Sequence, residues 1–157
     1  CSHLPILIKV IQRSEGPVLE LGSGPFSTPV LHWLCFDMNR HLVSYDNDLE
    51  YFEPNSTFAN ENHQMILIKE WEDANITNRH WGVAFLDQVP NYRRKEDAKR
   101  LANNVDFLVM HDSERTKDKY FGYSEIYPLF KYRYNYRRGS PFTVVLSNFK
   151  DVTAILR

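Results

Sequence analysis

The amino-acid sequence predicts an α/β protein: a doubly wound, mostly parallel sheet closed by a C-terminal antiparallel β-hairpin. Three observations predict it. Short apolar runs alternate with segments of helical periodicity from the start of the chain to about Met110, the order that builds β-α-β units. The first run leads straight into Gly22-Ser23-Gly24, a tight turn before a helix. The last two runs are joined only by the turn Gly139-Ser140-Pro141, too short for a crossover helix, so they must pair antiparallel.

Taken in order, Leu4 to Ile11 places Leu4, Ile8 and Ile11 at helical spacing and is expected to pack on the sheet as a short helix. Ser14-Glu15-Gly16-Pro17 breaks it. Val18, Leu19 and Leu21 form the first strand, with Glu20 near its carboxyl end, where a buried acid needs partners. Gly22 and Gly24 let the backbone turn sharply and let a ligand approach closely. Pro25, Ser27, Thr28 and Pro29 suit a helix start, the hydroxyls as caps. Val30, Leu31, Trp33, Leu34 and Phe36 read as the apolar side of that helix, which ends near Asn39.

His41 to Tyr45 is the second strand, and Leu49 to Phe58 an irregular helix interrupted by Pro54. Gln64 to Lys69 is the third strand, with Met65-Ile66-Leu67-Ile68 as its core. Trp81 to Asp87 is continuously apolar up to its final acid, as in a parallel strand covered on both faces. Tyr92 to Asn104 is a helix with a modest buried face, Ala98, Leu101 and Ala102; its charges, from Arg93 to Arg100, read as a solvated side. Phe107 to Met110 is the fifth strand. The polar stretch after it, through Tyr123, is long enough to cover a ligand mouth. From Lys131 to Arg138 the tyrosines point one way and the charges the other, the pattern of an edge strand protected against further pairing. Phe142 to Leu146 is the last strand.

A length of 157 residues suits a single domain, residues 1–157. The net charge of −1 supplies no global field toward nucleic acid or a membrane surface, and no apolar run reaches a membrane span. Cys1 and Cys35 are too few for a disulfide framework, so a reducing, cytoplasmic setting is expected.

The stretch Glu20-Leu21-Gly22-Ser23-Gly24, with its strand before and helix start after, resembles motif I of the class I S-adenosylmethionine-dependent methyltransferases, whose usual form is acid-x-Gly-x-Gly. Ser27 stands where the dinucleotide fingerprint has its third glycine. The closing hairpin is similar to that of the same family. The resemblance implies a Rossmann-like methyltransferase fold with S-adenosyl-L-methionine as cofactor, held by Glu20, Gly22, Ser23 and Gly24. It puts the ribose on Asp46, an assignment that the spacing from Gly22 also suits; Asp48 is the spare candidate, and the alternative is a loop acid capping the helix near Leu49. It puts the adenine near Glu70 and Trp71, with Asp73 as another acceptor; the alternative makes Trp71 a core residue.

Asp87 and the His111-Asp112 pair end neighbouring strands in such a topology and are expected to converge beside the glycine turn as the catalytic group. Glu20 and Asp87 are candidates to face the sulfonium. Phe85-Leu86-Asp87 and Met110-His111-Asp112-Ser113 look like the catechol and sugar O-methyltransferase branches. That implies O-methylation of a small molecule or sugar hydroxyl, assisted by Mg2+ on Asp87 and Asp112. The chain departs from the catechol branch at Ser113 and in lacking a lysine between Asp87 and Lys95; a metal-free version would use His111 as general base. The competing readings are a nicotinamide or nucleotide-sugar enzyme, disfavoured by Ser27 and the hairpin, and a non-catalytic module gripping RNA or single-stranded DNA with Lys131 to Arg138. The expected partner is a small-molecule or glycan substrate held by Glu114 to Tyr127, or a second subunit completing the site in a homo-oligomer; neither nucleic acid nor membrane is favoured.

Overall fold

The computed structural model describes residues 1–156. Seven strands, β1 (Val18–Leu21), β2 (Leu42–Asp46), β3 (His63–Leu67), β4 (Trp81–Leu86), β5 (Val105–His111), β6 (Tyr132–Tyr136) and β7 (Thr143–Ser147), form one sheet in the order β3-β2-β1-β4-β5-β7-β6. The first five are parallel; β7 runs antiparallel to β5 and to β6. The doubly wound sheet and its terminal hairpin are as the sequence predicts.

Helices cover both faces. Helices α1 (Leu4–Gln12), α2 (Ser27–Asp37) and α7 (Val152–Leu156) share one core with Val18, Val83, Phe85 and Val145. Helix α4 (Arg93–Leu101), the short helices α5 (Asp118–Phe121) and α6 (Tyr123–Ile126), and the segment around Trp71 close the other, over Leu19, Leu21, Leu86 and Leu108. Helix α3 (Leu49–Ser56) lies beside β2 and β3 and buries only Asn55. Every residue of β1, β2 and β4 is buried; β4 therefore runs apolar without alternation, and the polar Glu20, Ser44 and Asp46 of the other two are buried with hydrogen-bond partners. No helix of the described residues is long and apolar enough to cross a membrane.

Three expectations are corrected. Helix α2 buries only part of its apolar side: Leu31 is buried and Leu34 packs against the core, but Trp33 is 60% and Phe36 58% exposed, while Ser27, Thr28, His32 and Cys35 also face inward. Some inward positions are taken by Ser27 and Thr28, which serve a buried acid, and Trp33 and Phe36 are left outside. Strand β3 is an edge strand, with Met65 and Ile66 only half-buried and Leu67 exposed. The charges of α4 are not all solvated: Arg93, Arg94 and Asp97 are buried with Ala98 and Leu101. Strand β6 is an edge strand as expected, its tyrosines half-buried and Arg133 and Asn135 exposed.

Candidate active site

The chain goes from β1 outward through β2 to β3, then returns to β4 on the other side of β1. Loops leaving β1 and β4 therefore diverge, and a crevice opens beyond their carboxyl ends, the usual ligand position in such sheets. A cavity of about 230 Å3 lies there, lined among others by Gly22, Ser23, Gly24, Asp46, Asp87 and His3.

The two glycines of the turn do different work. Gly22 has φ +91, and a Cβ on it would lie 2.6 Å from the Gln88 nitrogen. It is bare because the backbone at Asp87–Gln88 passes against it. Gly24 has no such reason: its φ is not positive, and a Cβ there would meet only the Ser27 Oγ, at 3.7 Å. Its open side faces the cavity.

Asp46 closes one rim. Its Oδ2 accepts hydrogen bonds from the Ser23 amide (2.7 Å) and hydroxyl (2.8 Å), and its Oδ1 accepts one from the Asp48 amide (2.9 Å). Asp48 is the helix cap, accepting from the Glu50 amide at 2.9 Å, so the capping role belongs to Asp48 and the cavity position to Asp46.

Glu20 does not reach the cavity. It is fully buried under the start of α2, where Ser27, Thr28 and Ser44 donate hydroxyl hydrogen bonds to it at 2.6–3.1 Å. Burial pushes its carboxyl up to about 7; the three hydroxyls oppose the rise and nearby Asp46 adds to it. The hydroxyls expected to cap α2 point instead at this acid. Ser44 links it to the His63 Nε2 (2.9 Å), and His63 Nδ1 lies 3.0 Å from the His32 Nδ1. Glu20 faces this side because Leu19 and Leu21 take the opposite face of the central strand.

Glu70 and Trp71 are not brought to the cavity. Trp71 is 3% exposed, packed in the core, with its indole N–H donating to the Val89 carbonyl at 2.7 Å. Glu70 is exposed and forms a reciprocal capping pair with Asp73. The two acids cap a single 3-10 turn, and the indole ties it to Val89.

Asp87 and His111 do converge. His111 Nδ1 lies 3.3 Å from Asp87 Oδ1, and its Nε2 lies 3.3 Å from the Ser2 hydroxyl. Asp112, at φ +61, turns away from the cavity; Lys117 donates to its Oδ1 at 2.6 Å and Arg94 to its Oδ2 at 3.0 Å. Burial alone would raise its pKa, but the Lys117 hydrogen bond, His111 and Arg94 outweigh it and hold the carboxylate below its ordinary range. Both oxygens are thus committed to cations. Asp87 and Asp112 do not fit as a magnesium pair, and no step is routed through that ion.

Two residues that the motifs did not flag complete the cluster. Arg94, buried on α4, donates to the carbonyls of Asp87 and Gln88 at 2.9 and 2.8 Å and pairs with the Asp87 carboxylate at 2.9 Å, binding the ends of β4 and β5 together. The i,i+4 pair Arg93–Asp97 on the same helix was the available sign that these charges pack inward. His3, just before α1, packs edge-on against His111 with ring centroids 4.6 Å apart. Burial first, then the neighbouring His111, lower its pKa to about 4. Beyond Asp112 a second cavity of about 730 Å3 lies between the segment Ser113 to Tyr127 and the edge strand β6, with Arg133 and Arg137 on its wall.

No protein-family model matches this chain, and no curated protein sequence matches it. Solved structures do. Human methyltransferase-like protein 13 in complex with SAH superposes with a TM-score of 0.70 at 12% identity, over 99% of this chain and 87% of that one. Cofactor-bound Rv0187 from MTB gives 0.68 at 12%, over 95% and 80%. An rRNA methylase from Streptococcus thermophilus gives 0.64 at 12%, over 91% and 93%. These likenesses are ones of fold. The parallel sheet, its reversal between β1 and β4 and its closing hairpin are those of the class I S-adenosylmethionine-dependent methyltransferases, and the chain has their fold.

Proposed function

We propose that this chain is an S-adenosylmethionine-dependent methyltransferase acting on a hydroxyl of a small molecule or sugar. The observation that carries the reading is Gly24: a glycine without a backbone or packing reason, open to a cavity at the switch point of the sheet. A bare Cα at that place suits close approach of a ligand to the backbone.

Gly22, Ser23, Gly24 and Asp46 would hold the cofactor. Asp46, at the rim, suits a ribose, its Ser23 contacts giving way to the sugar hydroxyls. Bound S-adenosylmethionine supplies a methyl group on a sulfonium, transferred in line to a nucleophile. Asp87 contributes negative charge near that cation, and Arg94 orients its carboxylate. His111, held by Asp87 through Nδ1, is placed to accept the hydroxyl proton at Nε2 once the acceptor displaces Ser2. The second cavity, reached past Asp112, suits the body of the acceptor.

The test is transfer of a labelled methyl group from S-adenosylmethionine to a panel of catechols and sugars. The expected result is label on oxygen, lost by at least about a hundredfold in His111→Gln, the scale of a missing general base. Label on nitrogen only, or no loss in that variant, would overturn the hydroxyl assignment.

A further inference from the structure

The residue that the methyl-transfer reading leaves unused is His3. It is 5% exposed, and among the described residues neither of its ring nitrogens has a hydrogen-bond partner. Two unpaired nitrogens on a buried imidazole are costly. The ring lines the cavity beside the glycine turn. One nitrogen each of His3 and His111 and one carboxylate oxygen of Asp87 lie within 4.8 Å of one another.

The geometry points to a divalent transition-metal site of two histidines and one carboxylate, His3, His111 and Asp87, opening into that cavity. The donor set is the reason for the metal class. Two imidazoles and one carboxylate suit a borderline ion such as Zn2+ or Co2+, whereas Mg2+ prefers oxygen throughout. Bonds of about 2.0–2.1 Å in a tetrahedral site put neighbouring ligand atoms about 3.3 Å apart. The 3.3 Å from His111 Nδ1 to Asp87 Oδ1 already spans such an edge. His3 offers a ring nitrogen within 4.8 Å of both other donor atoms, and His3 and Asp87 line the cavity.

The surroundings support the choice of ligands. Asp112 is held by Arg94 and Lys117 and stays outside the set. Arg94 lies 2.9 Å from the same Asp87 Oδ1, so the guanidinium orients that carboxylate but shares its ligand oxygen with the ion. The same guanidinium opposes a second cation, so micromolar rather than tighter affinity is expected. The three ligands come from the ends of β4 and β5 and from the approach to α1, which the sheet brings to one mouth.

This deepens the reading given under Proposed function and rests on it only for the use of the ion. An ion there would bind the acceptor oxygen at its open position and acidify it, with His111 then serving as ligand instead of base. Binding itself needs neither cofactor nor acceptor.

The experiment is titration of the full chain with Co2+, read by visible absorption, and competition with Zn2+. It is done in a Cys1→Ser background, because the Cys1 thiol is exposed and would bind both ions. One equivalent of Co2+ is expected, displaced by Zn2+, with affinity falling at least about tenfold in His3→Gln and in Asp87→Asn. His80→Gln, at an exposed histidine outside the cluster, is expected to bind like the parent. Absence of saturable binding, or equal affinity in the folded His3→Gln protein, overturns the site. If His3→Gln does not fold, the His ring proton shifts of the parent on Zn2+ addition decide: movement of two histidine rings supports the site, and movement of none overturns it. S-adenosylhomocysteine binding is measured on the same samples. Its failure alongside intact cobalt binding would sink the methyltransferase reading and leave the metal site standing.

Discussion

Alanine at each glycine of the turn should give opposite phenotypes. At Gly22 the backbone has φ +91, and a Cβ would sit 2.6 Å from Gln88 N and 2.8 Å from the Asp87 carbonyl carbon. Backbone strain in that region costs about 1–3 kcal/mol, and forcing a methyl into packed backbone costs about 1–3 more. Gly22→Ala should therefore lose about 3 kcal/mol or more. At roughly 2–4 °C per kcal/mol for a chain of this size, the melting point should fall by about 6–12 °C. At Gly24 a Cβ meets nothing nearer than 3.7 Å. Gly24→Ala should hold stability, or raise it by about 0.4–1 kcal/mol through the unfolded chain. It places its methyl in the cavity, so S-adenosylhomocysteine affinity should fall at least about tenfold, or about 1.4 kcal/mol. Differential scanning calorimetry and isothermal titration read the two effects separately. A Gly22→Ala protein that melts with the parent, or a Gly24→Ala protein that binds S-adenosylhomocysteine as the parent does, would refute the division of labour.

Arg94→Met leaves Asp87 and Asp112 without their buried partner and should cost about 3–5 kcal/mol in urea unfolding; unchanged stability would mean that Arg94 does not hold the ends of β4 and β5 together. Asp46→Asn should weaken S-adenosylhomocysteine at least about tenfold; equal affinity would remove Asp46 from the cavity's ligand set. Glu20, raised from 4.5 in the unfolded chain to about 7 by burial, binds a proton more readily when folded. Its contribution is complete below about pH 4.5 and is lost as pH rises through 7, a swing of about 3 kcal/mol. His3 and His63, lowered to about 4 chiefly by burial, act in the opposite sense, losing their contribution as pH falls from 6.5 to 4. The stability difference between parent and Glu20→Gln, followed from pH 4.5 to 8, isolates the acid: the parent's advantage should shrink toward high pH. A constant difference would place an unshifted carboxyl at Glu20.

The sheet was legible because its signals are local. A continuous apolar run marked β4, an apolar run around Glu20 leading into a glycine turn marked β1, strict alternation marked β6, and a short turn marked the hairpin. The candidate site was legible where strand ends carry it, at Gly22, Gly24, Asp46, Asp87 and His111. It was not legible where side chains from distant elements satisfy one another. Ser27 and Thr28 look like caps until Glu20 is seen beneath them. Arg93, Arg94 and Asp97 look solvated until the ends of β4 and β5 supply acceptors for Arg94. Trp71 looks like a platform for a flat ring, yet its N–H finds the Val89 carbonyl and the ring is closed in. His3 had no motif to announce it, since only the fold brings it against His111.

Calorimetric titration of the unaltered chain with S-adenosylhomocysteine, with NAD as control, addresses the central claim directly. The crevice beyond β1 and β4 predicts saturable one-to-one binding of S-adenosylhomocysteine and none of NAD. A folded chain that binds NAD, or that gives no heat with S-adenosylhomocysteine at saturating concentration, contradicts it.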